Sequence, residues 1–431
     1  MTGDSASNPS RLGTWVDDAA VWLKIGATSF GGPAAQIQQM HEEIVTRRGW
    51  IDEAGFRAAL NFAMVLPGPE AQQLATYLGW RRGGVWGAVL SGGLFVAPGA
   101  VVLFGLAWLA AAKGEESWLA GAFSGMSAVV VALIAVAVFR IGARTIKTLW
   151  AGAMAVAAFI AIAAFNIGLP WILAVAAGVG ALAFRSSGAA EITHTQAHVV
   201  RPAASWFVRL FGLTVLFASL WAGPLVMIVA AFGPTPFLKV SVFFLQAALV
   251  TFGGAYAVLP FVASGAVGEF HWISAADMAH GLALAETTPG PLILVNEYVG
   301  FFAGWNACKD GGCGSLNQLE AAALAAFLTV WTTFLPCFYM VLVGAPLVER
   351  TRISPRMQAS LDSLTAAVVG VIATLGVSIA RQTYLVDRGV DTVSVGVGLV
   401  ALVMIVSRKV PTVVIVLCGA IFGTTRFWHG A

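Results

Sequence analysis

Two Pro-Gly-Pro triplets interrupt apolar sequence, in LPGP (66–69) and TPGP (288–291), and each trails a Phe-Gly-Gly, in SFGGP (29–33) and TFGGA (251–255). A tryptophan stands between the members of each pair. Gly31 and Gly253, Trp50 and Trp272, and Gly68 and Gly290 all differ by 222 positions. The match continues past one deletion and one insertion. YLGW (77–80) answers YVGF (298–301), Pro98 answers Pro336, and FSGMSAVVV (123–131) answers LDSLTAAVV (361–369). So many landmarks in one register mark an internal duplication. Whatever the first half builds, the second must build again.

Composition fixes the solvent. Of 431 residues, 58% are hydrophobic and 10% charged, where an ordinary soluble domain carries about 25% charge. Runs such as WAGAMAVAAFIAIAAF (150–165) approach the ~20 residues that cross about 30 Å of hydrocarbon. The expected class is an all-α polytopic membrane protein with two homologous inverted-topology repeats and discontinuous or re-entrant helices. Residues 1–184 form the first repeat, 185–205 a cytoplasmic polar linker, 206–232 a connecting transmembrane helix and 233–431 the second repeat. A single connecting helix inverts the half that follows it.

Basic residues gather in cytoplasmic loops. Arg81, Arg82, Arg140, Arg144, Lys147, Arg185 and Arg201 share one side if spans run 84–112, 118–139, 149–165 and 170–184. Arg350, Arg352, Arg356, Arg408 and Lys409 mark the opposite loops of the second half. The N-terminus is therefore expected inside and the C-terminus outside, with nine spans, or up to thirteen if the Pro-Gly-Pro hairpins cross. Asp17, Asp18 and Lys24 in the first apolar stretch argue against a cleavable signal peptide. A net charge of +3, carried by scattered residues, excludes a nucleic-acid partner.

Proline lacks an amide donor and glycine weakens a helix, and non-helical backbone is tolerated at membrane depth only where protein or water covers it. Discontinuous helices at a repeat interface hold the substrates of secondary transporters. Their broken ends present N–H groups and a partial positive charge, which suit an anion. Candidate binding residues are Ser29, Phe30, Gly31, Gly32, Pro67, Gly68 and Pro69, and in the second half Thr251, Phe252, Gly253, Gly254, Thr288, Pro289, Gly290 and Pro291. Gln72 and Asn296, with Asn61 and Gln73, are neutral donors beside the breaks. Lys24 either neutralises the anion or snorkels to the interface. Glu70, Glu286 and Glu297 are candidate proton carriers; the plainer alternative puts such carboxylates at wet helix ends.

Other residues have structural readings. Asp52 and Ser274 are matched N-caps, with Ile51 and Ile273 as apolar staples. Gln36, Gln38, Gln39, His41, Glu42 and Glu43 are expected on the solvated face of a surface helix. Gly121 and Gly125 suit close helix packing. Cys337 and Cys418 read as small apolar side chains, whereas Cys308 and Cys313 flank KDGG and suit a short disulfide in an oxidising compartment. His280 stands alone among the spans. No metal-ligand or catalytic spacing emerges, so neither a metal nor a cofactor is expected, and an intramembrane enzyme is disfavoured.

The pattern SFGGP…GWI…LPGPEAQQLATYLGWRRGG with TFGGAYAVLP…HWI…TTPGPLILVNEYVGF resembles the chromate ion transporter family in its long, two-domain form. The resemblance covers about residues 18 to 425. It implies a bacterial inner-membrane protein that exports chromate, driven by the proton-motive force, and confers chromate resistance. Sulfate, a similar tetrahedral dianion, is a second candidate partner. A homodimer is compatible with the pattern. The carry-over falls on Phe30, Gly31, Gly32, Pro67, Gly68 and Pro69, and on Phe252, Gly253, Gly254, Pro289, Gly290 and Pro291. Ala255 departs from the pattern opposite Pro33, Leu292 faces Glu70 and Met64 faces Glu286. Unequal side chains on a shared backbone give the halves unequal roles, with Lys24 and Gln72 placing more of the anion in the first. An inward sulfate or molybdate carrier and an anion channel are the alternatives within transport.

Overall fold

The computed structural model describes residues 11–114, 116–165, 167–183, 204–252, 254–309, 314–347, 355–386 and 389–430. Gly253, Cys313, Arg185, Arg201, Arg350, Arg352 and nearly all of the 185–205 linker lie outside the described residues.

The first half runs α1 (Arg11–Thr28), α2 (Gly32–His41) continued by a π-helical stretch (Glu42–Arg47), α3 (Glu53–Val65), α4 (Glu70–Lys113), α5 (Ser117–Thr145), α6 (Leu149–Ala163) and α7 (Leu169–Ala183). After α8 (Ala204–Phe232) comes α9 (Phe237–Val250), then α10 (Ala255–Ala263) continued by a π-helical stretch (Ser264–Glu269). Next stand α11 (Ala275–Thr287), a 3-10 turn (Leu292–Leu294), α12 (Val295–Lys309), α13 (Gln318–Gly344), α14 (Pro355–Tyr384), α15 (Thr392–Ser407) and α16 (Thr412–Gly430). The strands among the described residues are one short hairpin, Leu385–Val386 with Gly389–Val390.

The duplication is visible in the element boundaries. α1 and α9 end 222 positions apart, both π-helical stretches start and stop 222 apart, and α3 and α11 coincide at the same offset. The local causes repeat too. Asp52 accepts from the Gly55 amide and Ser274 from the Asp277 amide, so both hairpin helices begin at a side-chain cap. α4 looks longer than its counterparts because it holds two helices. At Gly83 and Gly84 the backbone leaves helical geometry, with φ of −136° and 60°. The chain reverses there, and Ser91 donates back to the Ala75 carbonyl at 2.8 Å. α12 and α13 make the same antiparallel pair, Gly300 packing on Thr329.

Among the described residues five helices, α4, α5, α8, α13 and α14, are long and apolar enough to cross a membrane, and six shorter helices are also apolar. Large apolar side chains such as Trp86, Val101, Phe139, Leu149 and Phe211 point outward, as a lipid solvent requires. The chain is a multi-pass membrane protein. Its helices meet through small residues: Gly125 of α5 lies against Gly419 and Gly423 of α16, and Gly423 against Gly121, as the GxxxG spacing predicts. Cys308 is disulfide-bonded, while Cys337 and Cys418 are free.

Matched positions do not keep matched surroundings. Trp272 sits in an aromatic cluster with Phe243, Phe244 and Phe270. Trp50 instead lies under the Arg82 guanidinium, 3.7 Å from its ring centre, and Arg82 grips Asp18 through two bonds of 2.7 and 2.9 Å. This clamp ties α1 to the Gly83–Gly84 reversal.

Candidate substrate site at the crossed breaks

Proline dictates the local geometry. Pro67 and Pro69 carry no amide hydrogen, and neither do Pro289 and Pro291. Each triplet therefore has one backbone donor, its glycine. The amide of Gly68 donates to the carbonyl of Thr251 at 2.7 Å, and the amide of Gly290 donates to the carbonyl of Ser29 at 2.9 Å. These bonds are reciprocal: each half's break is held by the residue before the other half's Phe-Gly-Gly. The glycine amides are thus already partnered, contrary to the expectation of free amides in the triplets themselves. Both glycines need positive φ, 125° at Gly68 and 91° at Gly290, which L side chains rarely adopt.

A second pair of contacts repeats the exchange. Gly99, directly after Pro98 in α4, packs on the Pro289 carbonyl and Gly290. Its counterpart, Cys337 after Pro336 in α13, stands 2.8 Å from where a Cβ on Gly68 would lie. Each proline-containing helix therefore supports the opposite break. The centre of the molecule is cross-braced by these contacts.

Around this brace the helix starts are uncapped by side chains. α4 begins after Pro69, α2 after Gly31, α10 after Gly254 and the 292–294 turn after Pro291. The first turn of a helix has N–H groups without internal acceptors, and these are the donors an anion can use. They associate in two pairs. α4 and α10 meet where Glu70 Oε1 comes 3.6 Å from a Cβ built on Gly254. Gln36 of α2 and Ser29 just before it both bond to Gly290, shortly before the 292–294 turn.

Gln36 is buried and donates to the Gly290 carbonyl at 2.6 Å. It does not lie on a solvated face, and nor does Glu43, which is also buried. The signal was present in the sequence: Gln36, Met40 and Ile44 recur at helical spacing, and all three are buried. Leucine at this position would strip a buried carbonyl of its partner, at about 1–3 kcal/mol. Gln36→Leu is therefore expected to lower the melting temperature of the purified protein and to slow transport. An unchanged melting curve with unchanged transport would show the bond to be idle.

The other candidates fall as follows. Ser29 and Thr251 are fully buried. The Ser29 hydroxyl donates to Gln39 Oε1 at 3.0 Å, and the Thr251 and Thr288 hydroxyls donate to the Ala247 and Leu284 carbonyls of their own helices. Phe30 and Gly31 are exposed, whereas Phe252 is half-buried and Gly254 buried. Gln72 donates to Thr76 at 2.9 Å and Gln73 to the Pro67 carbonyl at 2.7 Å. Asn296 Nδ2 reaches Thr333 at 3.5 Å. The oxygens Gln72 Oε1, Gln73 Oε1, Asn296 Oδ1 and Glu297 Oε2 are buried without a hydrogen-bond partner among the described residues. Glu286 is buried and receives the Tyr256 hydroxyl. Lys24 is half-exposed and pairs with Glu43 at 3.4 Å, a carboxylate that Arg47 and Arg48 share. His280 stacks on Phe123 with ring centres 4.4 Å apart. Among the described residues no group of His, Cys, Asp or Glu could hold a metal. Tyr256, Gly99 and Cys337 are contributors that sequence reasoning missed. Pro98 and Pro336 in matched register were the clue to the last two.

Comparison with known proteins agrees with this two-part build. A chromate transport protein of Pseudomonas aeruginosa is 34% identical over 415 residues, covering 95% of this chain and 91% of its own. A probable chromate transport protein of Synechococcus elongatus is 28% identical over 417 residues, 94% of each chain. A chromate transport protein of Cupriavidus metallidurans is 27% identical over 384 residues, covering 84% and 82%. No solved structure matches. The sequence model of the family described as chromate transporter matches residues 17–182 and 238–424, one match in each half, and the chain belongs to the chromate transporter family.

Proposed function

We propose that this protein exports chromate across a bacterial inner membrane as a secondary transporter driven by the proton-motive force, and so confers chromate resistance. The reciprocal bonding of the two breaks supports this reading best. A site built from both halves, with each gripping the other's interrupted helix, suits a carrier that rocks one half against the other. The two halves are inverted relative to each other, with the N-terminus inside and the C-terminus outside. Chromate binds at the uncapped starts of α4, α10, α2 and the 292–294 turn. The candidate set is Ser29, Phe30, Gly31, Gly32, Pro67, Gly68, Pro69 and Gln72 of the first half with Thr251 to Gly254, Thr288 to Pro291 and Asn296 of the second. Glu70, Glu286 and Glu297 are the groups proposed to carry the coupling proton. The three lie on different helices, and burial of an oxygen of Glu297 without a hydrogen-bond partner favours a carboxyl that can hold a proton.

In cells expressing the protein, intracellular chromate is expected to fall below that of cells with an empty vector, and an uncoupler should erase the difference. Higher accumulation than the control would instead indicate an inward oxyanion carrier, with sulfate as its first substrate to try. Equal accumulation, in cells whose membranes contain the protein, would remove chromate export.

A further inference from the structure

The two hairpins that turn at the breaks are packed unequally. α11 lies against α5, α14 and α16, and its His280 stacks on Phe123 of α5. α3, its counterpart 222 positions earlier, packs chiefly against α4. The surface of α5 that α11 covers, from Phe123 onward, corresponds 238 positions later to the start of α14, from Leu361 onward. Facing that part of α14, where a closed hairpin would lie, a cavity of about 780 Å³ separates it from α3.

The lining of this cavity is mixed: Trp150, Met154, Val179 and Leu361 are apolar, but a group of polar and basic side chains stands among them. Arg144 and Lys147 stand on it, with Thr145, Thr148, Ser363 and Thr365 supplying hydroxyls and Asn61 an amide. Among the described residues on the lining, Asp362 is the one acidic group against two basic ones. Met64 and Val65 at the end of α3 also line it, immediately before the Leu66-Pro67-Gly68-Pro69 break. Arg144 also acts electrostatically on Glu70, the first residue of α4 after that break. The cavity therefore carries basic side chains and is lined by the last residues of the helix that leads into the break.

We propose that this cavity is the loading vestibule for a tetrahedral oxyanion, with Arg144 and Lys147 as its anion-attracting residues. The inference rests on the oxyanion-transport reading but not on the direction or coupling of transport. A cleft lined by one sign of charge concentrates counter-ions. The hydroxyls and the Asn61 amide then replace water around the anion as it approaches the break. α3 is the wall that can close, in the manner that α11 already shows in the other half.

The test reads occupancy and transport separately. In full-length protein carrying Cys418→Ser, Ala151→Cys places a thiol on the lining, and its rate of reaction with a charged maleimide is followed in detergent. Millimolar sulfate, against chloride at equal ionic strength, is expected to slow labelling at least fivefold, and Lys147→Gln with Arg144→Gln to remove the protection. In vesicles the same pair of substitutions should raise the KM for chromate about 10-fold, the loss falling on KM rather than on the maximal rate. Protection by anionic phospholipid but not by sulfate would assign the cavity to a lipid headgroup and overturn the loading role. Unprotected labelling and an unchanged KM, with transport intact, would overturn it as well. Sulfate protection in a protein that moves no oxyanion would leave the site standing and defeat the transport reading instead.

Discussion

Gly68→Val and Gly290→Val are each expected to reduce chromate transport to roughly a hundredth of the parent rate or less, with insertion into the membrane retained. The reason is backbone geometry first. Both residues hold positive φ, 125° and 91°, and forcing a β-branched residue there costs about 1–3 kcal/mol. Crowding adds to it. A Cβ on Gly68 would stand 2.7 Å from Gln73 Nε2 and 2.8 Å from Cys337 Sγ, and overpacking a tight contact costs roughly 1–3 kcal/mol more. Each 1.36 kcal/mol added to the transport barrier slows the rate about tenfold, so a hundredfold loss lies within the sum. The halves should differ in degree. A Cβ on Gly290 meets nothing closer than Leu294 Cδ1 at 3.4 Å, so Gly290→Ala should be milder than Gly68→Ala. Initial rates in everted vesicles, normalised to protein detected in the membrane, measure this. Valine variants that keep half the parent rate would remove the breaks from the mechanism.

The second large effect lies at a distance in sequence. Gly99→Val places a side chain where the Pro289 carbonyl already stands, with Leu294 Cδ1 only 2.7 Å away. Pro289 is backbone of the other half, so the neighbour cannot swing aside. A cost of about 1–3 kcal/mol, or roughly fivefold to a hundredfold in rate, is expected. The same helix supplies its own controls. At Gly93 and Gly105 an added Cβ would meet nothing within 4 Å, and valine there should change transport by less than about twofold, in keeping with the small helix-propensity difference. Equal losses at all three positions would point to general damage to α4. A loss confined to Gly99 would show that the support of one half's break by the other half's helix matters for turnover.

Much of this arrangement was legible in the chain itself, for specific reasons. A duplication repeats its local causes with its sequence. Asp52 and Ser274 cap matched helices, the prolines stop matched helices, and Gly121 and Gly125 mark a close helix crossing. These are signals within a few residues of their effect. The partners of the breaks were not legible. That Gly68 bonds to Thr251 and Gly290 to Ser29 depends on how the two halves dock, and no local pattern encodes a contact across 183 or 261 positions. Gln36 shows the intermediate case. Its polarity argued for solvent, its spacing with Met40 and Ile44 argued for the core, and a buried carbonyl at Gly290 decided the matter. Lys24 shows the converse, since its charge suggested an anion while a nearby carboxylate, Glu43, takes it. The unequal packing of α3 and α11 was likewise hidden, because it depends on distant helices that no local pattern specifies.

The most direct measurement is flux through the purified protein reconstituted into liposomes, with chromate outside, a pH gradient imposed across the bilayer, and sulfate as competitor. If the crossed breaks form a proton-coupled oxyanion site, chromate should accumulate only while the gradient lasts, collapse with an ionophore, and give way to millimolar sulfate. Flux that ignores the gradient, or none above protein-free liposomes, would contradict that account.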